Sequence, residues 1–136
     1  MEKTKTTPAN KKITVLMANA DVFLIRLYQD QITEAGFEFL TAHNGMEATR
    51  IIENEHPDII LLDLILPQKN GFEILEDLQK NETTKDIPVC IISILSQDSD
   101  KQEALQLGAK AYFIKSEVRV SDVMEKIHEW AKQIRK

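Results

Sequence analysis

Three side chains with complementary chemistry stand at the ends of three apolar runs in this sequence: Asp63, Ser93 and Lys115. A carboxylate can act as a nucleophile and form a covalent intermediate. A hydroxyl can donate a hydrogen bond to a phosphoryl oxygen, and a lysine ammonium supplies positive charge to the same group. If the fold brings the three together, they can form and hold an acyl phosphate.

The run that ends at Asp63 organises the rest of the chain. Residues 59–62 are all apolar, without the alternation of a half-buried strand, and Pro67 closes the segment. A continuous apolar run of this length is typical of a central strand of a parallel sheet, covered on both faces. Ligands of open parallel sheets bind at the carboxyl ends of the strands, which is where Asp63 stands. A simpler interpretation, in which Asp63 only begins a turn, stays open on this segment alone.

Apolar runs and helical periodicity alternate five times along the chain. Strands are predicted at 13–18, 37–42, 59–62, 88–93 and 112–114, and helices at 22–35, 46–55, 71–78, 99–107 and 120–134. Parallel strands need crossover connections, and the helices between the strands supply them. The predicted fold is therefore α/β, with a doubly wound five-stranded parallel sheet and helices on both faces. In such a sheet Asp63, Ser93 and Lys115 lie on one edge.

The same patterns predict which residues face inward. The helical spacing of Leu24, Leu27 and Tyr28 in the first helix predicts its inner face, and Ile134 belongs to the inner stripe of the last helix. Asn70 is interpreted as the cap of the third helix. The residues expected in the core are Ile60, Leu62, Val89, Ile91 and Ile127.

Length and composition restrict the function classes. The chain has 136 residues, which predicts one domain at 12–136 preceded by a polar, disordered tail at 1–11. A net charge of −5 without a basic stripe argues against binding to nucleic acid. The apolar runs are too short to span a membrane, and residues 1–12 have no apolar segment typical of a signal peptide. We therefore expect a cytoplasmic protein. Cys90 lies in the apolar run 89–92, so we expect it to be a buried structural thiol.

Four sequence segments together resemble one protein family. They are ILLDLILP at 60–67, NGFE at 70–73, IPV at 87–89 leading to Ser93, and LGA at 107–109 leading to Tyr112 and Lys115. From about residue 12 onward, the chain resembles the response regulator receiver domain of bacterial two-component signalling.

The resemblance implies a role for each residue at this edge. Asp63 would be the phosphoacceptor, Ser93 the switch hydroxyl, Tyr112 the switch aromatic and Lys115 the lysine that senses the phosphate. It also implies the flavodoxin-like strand order 2-1-3-4-5 and an output face made of the fourth helix, fifth strand and fifth helix. Implied partners are a histidine kinase or phosphotransfer protein, and a downstream protein target.

The sequence departs from the family pattern at the end of the first strand. In the family two adjacent acids there join the phosphoacceptor in holding Mg²⁺, whereas this chain has Asn19 and Ala20. Mg²⁺ is bound in proteins through carboxylates, so Asp63 is left as the one obvious ligand, with the backbone carbonyl of Ile65 as a weak helper. We therefore expect Mg²⁺ binding to be weak or absent, which leaves Lys115 able to pair with Asp63.

The neighbouring Asp21 could replace one of the missing acids if the register were shifted by one residue. The helical spacing of Leu24, Leu27 and Tyr28 fits a count from Ala20 better than a count from Asp21. We therefore interpret Asp21 as the N-cap of the first helix.

Three hypotheses remain for the function. The first is a single-domain phosphorylatable switch in a phosphorelay, and the second is a metal-free pseudo-receiver that acts as a constitutive interaction module. The third is a flavodoxin-like ligand-binding enzyme. It is disfavoured because residues 19–23 contain no glycine or serine for a phosphate loop, and because an acyl-phosphate phosphatase would want an acid where Ile65 stands. We expect signalling rather than enzymatic turnover.

Overall fold

The computed structural model of the chain describes residues 12–135. The predicted tail at 1–11 lies outside the described residues. The strands are β1 (Thr14–Ala18), β2 (Glu38–Ala42), β3 (Ile59–Leu62), β4 (Val89–Ser93) and β5 (Ala111–Ile114). The helices are α1 (Val22–Glu34), α2 (Gly45–Glu55), α3 (Gly71–Lys80), α4 (Asp98–Gln106) and α5 (Val120–Ile134). Among these described helices, none has both the length and the apolar composition needed to cross a membrane.

The five strands form one parallel sheet in the order β2-β1-β3-β4-β5. This confirms the predicted doubly wound α/β fold and the strand order that the family resemblance implied. The register aligns Ala18 of β1 with Leu62 of β3, and Ser93 of β4 with Ile114 of β5. The carboxyl ends of these four strands therefore finish at nearly the same level.

Helices cover both faces of the sheet, and this explains the continuous apolar run in β3. Ile59 and Leu61 pack on the side of α1 and α5, whereas Ile60 and Leu62 pack on the side of α2, α3 and α4. All four residues of β3 are buried because neither face is left to solvent. The residues predicted to form the core are buried too: Ile60, Leu62, Val89, Ile91 and Ile127. Cys90 is fully buried, as predicted, and burial raises the pKa of its thiol to about 12.

The predicted inner face of α1 is partly wrong. Its buried residues are Ile25, Tyr28 and Ile32, whereas the predicted Leu27 is 49% exposed. Apolar residues occupy almost every position in the first two turns of this helix, so the sequence period did not select a face. Packing against the sheet selected it. Ile134 in α5, also predicted to face inward, is 41% exposed because the helix beyond the buried Ala131 is open to solvent.

Two glycines fix the loop that follows Asp63. The Gly45 N–H donates to the Pro67 carbonyl at 3.0 Å, and the Gly71 N–H donates to the Leu64 carbonyl at 2.9 Å. A Cβ at Gly71 would lie 2.5 Å from the backbone oxygen of Asp63, and a Cβ at Gly45 would collide with the backbone of Lys69. The absence of side chains at these positions lets α2 and α3 approach the loop and hold it in place.

Candidate functional site

Four residues at the carboxyl ends of adjacent strands form what we call the carboxyl edge: Asn19, Asp63, Ser93 and Lys115. Asn19 follows β1, Asp63 follows β3, Ser93 ends β4 and Lys115 follows β5. Backbone hydrogen bonds continue beyond the strands, because the Asp63 N–H donates to the Ala18 carbonyl at 3.0 Å and the Lys115 N–H donates to the Ser93 carbonyl at 2.8 Å. The three residues predicted from their chemistry do lie on one edge of the sheet.

Asp63 is a buried carboxyl group, with 6% of the residue exposed. Its Oδ1 accepts a hydrogen bond from the Ile65 N–H at 3.0 Å. Burial raises the pKa of Asp63, while the Ile65 N–H, the Ser93 hydroxyl and the charge of Lys115 act to lower it. Burial has the largest effect, so the charged form is stabilised less by its surroundings than it would be in water.

Ser93 and Tyr112 are linked through the loop that follows β4. Ser93 is fully buried, and its Oγ accepts a long hydrogen bond, 3.4 Å, from the Leu95 N–H. The Tyr112 hydroxyl donates to the carbonyl oxygen of the same Leu95 at 2.8 Å. Burial raises the pKa of Tyr112 to about 12, with smaller contributions from Asp100 and Asp63, so the phenol remains a donor at neutral pH. A change at Ser93 can therefore reach Tyr112 through one residue.

Lys115 forms its ion pair with Asp21, not with Asp63. Lys115 Nζ lies 3.4 Å from Asp21 Oδ2, and within residues 12–135 no ion pair of 4 Å or less joins Lys115 to Asp63. The pairing of Lys115 with Asp63 that the sequence allowed is therefore not the one formed. The physical reason is hydration, because the Asp21 side chain is 40% exposed and a paired charge there loses less water than at the buried Asp63.

Asp21 is the N-cap of α1, which confirms the prediction made from its position. Its Oδ1 accepts from the N–H groups of Phe23 at 3.1 Å and Leu24 at 3.2 Å. The Leu24 N–H and, after it, Lys115 hold the pKa of this carboxyl below its usual value, although burial opposes them. The second role of Asp21, as the partner of Lys115, was missed. Its place only two residues beyond Asn19 was the signal that could have indicated it.

Asn19 is 1% exposed, and its backbone N–H and its side-chain oxygen form hydrogen bonds with two different neighbours. Its backbone N–H donates to the Ala42 carbonyl at 2.9 Å, and its side-chain Oδ1 accepts from the Asp21 N–H at 2.8 Å. Among residues 12–135 its side-chain NH₂ finds no hydrogen-bond acceptor. Ala20 beside it contributes no polar side-chain atom.

The side chains at the carboxyl edge do not fit a magnesium site of the family type. Mg²⁺ prefers carboxylate oxygens and retained waters, and Asp63 is the single carboxylate among the four edge residues. Within the described part of the chain, no three His, Cys, Asp or Glu side chains group as metal ligands. The nearby Asp21 already caps α1 and pairs with Lys115.

Comparison with known proteins identifies a family whose sequence and fold are similar to those of this chain. The sequence model of the response regulator receiver domain family matches residues 15–128. The chain is 29% identical over 102 residues to the polar-differentiation response regulator DivK of Brucella ovis, covering 75% of this chain and 83% of that protein. A solved structure of a Francisella response regulator receiver domain superposes with a TM-score of 0.83 at 25% identity, covering 90% of this chain and 99% of that one.

A further relative is a longer protein. The chain is 28% identical over 123 residues to the probable transcriptional regulator ycf27 of Porphyridium aerugineum, covering 86% of this chain but 50% of that protein. In each of five ycf27 proteins from different species, the chain spans half or less of the relative's length.

Proposed function

The chain belongs to the response regulator receiver domain family of two-component signalling, and on that basis we propose that it accepts a phosphoryl group at Asp63. The observation that carries the proposal is a buried carboxyl group at the end of the central strand, beside the Ser93 hydroxyl and the charge of Lys115. This juxtaposition supplies a nucleophile, a hydrogen-bond donor and a positive charge to one incoming group.

The proposed reaction is an in-line transfer to the carboxylate. An Asp63 oxygen attacks phosphorus, the bond from phosphorus to the donor nitrogen or oxygen breaks, and the electron pair of that bond leaves with the donor. An acyl phosphate on Asp63 is the product. Receiver domains receive such groups from histidine kinases or phosphotransfer proteins, and they signal to downstream proteins. The specific donor and target of this chain belong to the proposal.

The signal would pass through the loop between β4 and α4. We propose that Ser93 donates to a phosphoryl oxygen and that Lys115 moves from Asp21 toward the same group. The Ser93 shift would then reach Leu95, whose carbonyl oxygen accepts from the Tyr112 hydroxyl at 2.8 Å. Phosphorylation would in this way bias two arrangements of the fifth strand and the fourth helix that are both accessible to the protein.

Receiver domains commonly bind Mg²⁺ at the phosphorylation site, but we propose that this chain binds it weakly. The support is the donor set, in which Asn19 and Ala20 stand in the positions of two acids. Ile65 could add its backbone carbonyl as a ligand to the carboxylate of Asp63, but the nearby Lys115 would oppose a cation there.

Labelling of the whole chain with acetyl phosphate tests the proposal. Intact-mass measurement should show one added phosphoryl group, and hydroxylamine, which cleaves acyl phosphates, should remove it. Asp63→Asn should abolish the adduct, because an amide is not a nucleophile for this transfer. Asp86→Asn is the matched control, because Asp86 is an exposed acid in the loop before β4 and should leave the yield unchanged. An adduct of equal yield in Asp63→Asn would contradict the assignment.

A second candidate function is favoured by the residues after β1. With Asn19 and Ala20 in place of acids, the same fold can serve as a pseudo-receiver that binds its protein target without phosphate. In that case the unmodified chain would take no adduct from acetyl phosphate with or without Mg²⁺, yet its binding to a target would be unaffected by Asp63→Asn.

A further inference from the structure

A buried hydrogen-bond donor without an acceptor lies at the carboxyl edge. Asn19 is 1% exposed, and its side-chain NH₂ has no acceptor within the part of the chain that the structure describes. A buried amide donor that is left without a partner costs free energy comparable to a lost hydrogen bond. A position of this kind needs an explanation, and a group that arrives only during function is one.

The register of the sheet places Asn19 beside the phosphoacceptor. Ala18 and Leu62 are direct neighbours in the β1–β3 pairing, and the Asp63 N–H continues that pairing to the Ala18 carbonyl at 3.0 Å. Asn19 and Asp63 are the residues that follow these two strands, β1 and β3. Side chains of paired positions in a parallel sheet leave the sheet on the same side, so the two side chains are neighbours on the face of α1 and α5.

The orientation of the amide is fixed from the other end. Its Oδ1 accepts the Asp21 N–H at 2.8 Å, which ties the oxygen to the start of α1. The two hydrogens of the NH₂ group therefore lie on the side away from the Asp21 backbone, and an amide nitrogen can only donate. The amide thus offers donors at a place where the family pattern has an acceptor for a cation.

We propose that the side-chain NH₂ of Asn19 donates a hydrogen bond to an oxygen of the phosphoryl group on Asp63, and that it does so without a metal ion. The proposal rests on the proposed function, because it concerns the same acyl phosphate. Together with the Ser93 hydroxyl and Lys115, Asn19 would give the transferred group three donors from three different strand ends. Preorganised donors aimed at developing negative charge stabilise such a transition state without needing to rearrange.

The consequence is a receiver whose phosphorylation is indifferent to divalent cations. A neutral amide attracts a phosphoryl group less strongly than a divalent cation does, so transfer should be slow. It should however proceed at the same rate with Mg²⁺ and with a chelator, since no edge residue other than Asp63 offers a carboxylate to the ion.

Acetyl phosphate labelling in EDTA, followed by intact mass, tests the role of Asn19 in three variants. Asn19→Asp is isosteric and keeps the oxygen that accepts the Asp21 N–H, but it replaces the donor by a carboxylate oxygen. Asn19→Leu is neutral and removes the donor without adding charge. Asn81→Asp makes the same change of amide to acid in the loop between α3 and β4, at the opposite edge of the sheet.

Both Asn19 variants should be labelled roughly 100- to 1000-fold more slowly than the unmodified chain in EDTA, as expected when one such donor is lost. Asn81→Asp should be labelled at the rate of the unmodified chain. A direct reading comes from the side-chain ¹⁵N–¹H₂ signals of Asn19, which should shift on formation of the adduct and not in Asp63→Asn. This measurement also decides the question if Asn19→Leu does not fold.

The outcomes separate this proposal from the proposed function. If the unmodified chain takes no adduct under any condition, both are wrong. If the adduct forms but its rate is unchanged in the Asn19 variants, or if EDTA stops labelling of the unmodified chain, Asn19 has no such role and phosphorylation at Asp63 stands by itself.

Discussion

The carboxyl edge has two halves that share one backbone framework and differ in chemistry. At the ends of β3, β4 and β5 stand a carboxylate, a hydroxyl and an ammonium, at Asp63, Ser93 and Lys115. After β1 come an amide and a methyl group, at Asn19 and Ala20. Both halves continue the parallel hydrogen bonding of the sheet past the last strand residue. The difference teaches that the fold can keep the position of the proposed phosphoacceptor, Asp63, while the residues expected to hold a metal ion change independently.

The charges follow the same division. In the family pattern three carboxylates face one lysine, which favours a divalent cation. Here Asp63 is the only carboxylate among the four edge residues, and Asp21, two residues beyond Asn19, forms an ion pair with Lys115 at 3.4 Å. Asn19 and Ala20 in the β1 half therefore neither attract a cation nor repel an anion. The other half retains the Ser93 hydroxyl and the Lys115 ammonium, which can hold an anion.

The largest expected effect comes from giving the β1 half the family's acids. Asn19→Asp combined with Ala20→Asp should raise Mg²⁺ affinity and speed acetyl phosphate labelling in Mg²⁺ together, because metal neutralisation of phosphoryl charge is worth several kcal/mol. Isothermal titration with Mg²⁺ and a labelling time course by intact mass measure the two effects. In EDTA the same variant should be labelled more slowly than the unmodified protein, because it has lost the Asn19 donor and gained charge.

Two results would break this comparison of the halves. Tight Mg²⁺ binding by the unmodified protein would show that Asp21 or another acid completes a metal site after all. A double variant that binds Mg²⁺ but is not labelled faster would indicate that another residue limits access to Asp63. The candidate is Ile94, whose bulky side chain follows Ser93 and is 62% exposed.

A smaller effect is expected from the buried charge in the β3 half. The folded-state pKa of Asp63 lies above 3.8, so its ionisation destabilises the native state as the pH rises from 3.8 through the folded value. Asp63→Asn removes the free-energy cost of this buried charge. The variant should therefore have a melting temperature a few degrees higher at pH 7, with roughly 4 °C per kcal/mol in a domain of this size.

The sign of the pH dependence checks the cause. Below pH 3.8, where Asp63 is protonated in both the folded and the unfolded chain, the two proteins should melt at nearly the same temperature. Thermal melts followed by circular dichroism from pH 3 to pH 8 measure this. A gain for Asp63→Asn that is constant with pH would mean that the amide packs better, and not that a buried charge has been removed.

The smallest effect is expected at Asp21, on the β1 side. Asp21→Asn keeps a good N-cap acceptor for α1 but loses the charge that pairs with Lys115. Since the Asp21 side chain is 40% exposed, the loss in free energy of unfolding should be below about 1 kcal/mol at neutral pH. The pKa of Asp21 is lowered in the folded state, so this stabilisation is present above pH 3.8 and disappears as the pH falls through the folded value.

Urea titrations of both proteins at pH 7 and in acid measure that difference, and added salt should reduce it at pH 7. A loss of several kcal/mol that persists in high salt would show that the ion pair is not the reason. If Lys115 is instead freed for Asp63, labelling of Asp21→Asn should become faster while the stability changes little.

The sequence by itself determined the architecture and which residues lie at the carboxyl edge. The alternation of apolar runs with helical periods predicted the parallel sheet, because a run such as 59–62 is stable only when both of its faces are covered. Asp21 and Asn70 were predicted as caps from residue type and position alone, since a cap depends on its own backbone neighbours. The edge shared by Asp63, Ser93 and Lys115 followed from parallel topology without any side-chain geometry.

Only the tertiary structure decided which groups contact each other at that edge. Leu27 was predicted to face inward and is 49% exposed, because α1 is apolar on nearly all sides and the sheet selects the buried one. The sequence left Lys115 able to pair with Asp63, yet it pairs with Asp21, because a long lysine side chain takes the partner whose pairing requires the loss of less water. The Asn19 NH₂, which has no acceptor among residues 12–135, also became visible only in three dimensions, since whether a donor is satisfied depends on every neighbour that surrounds it.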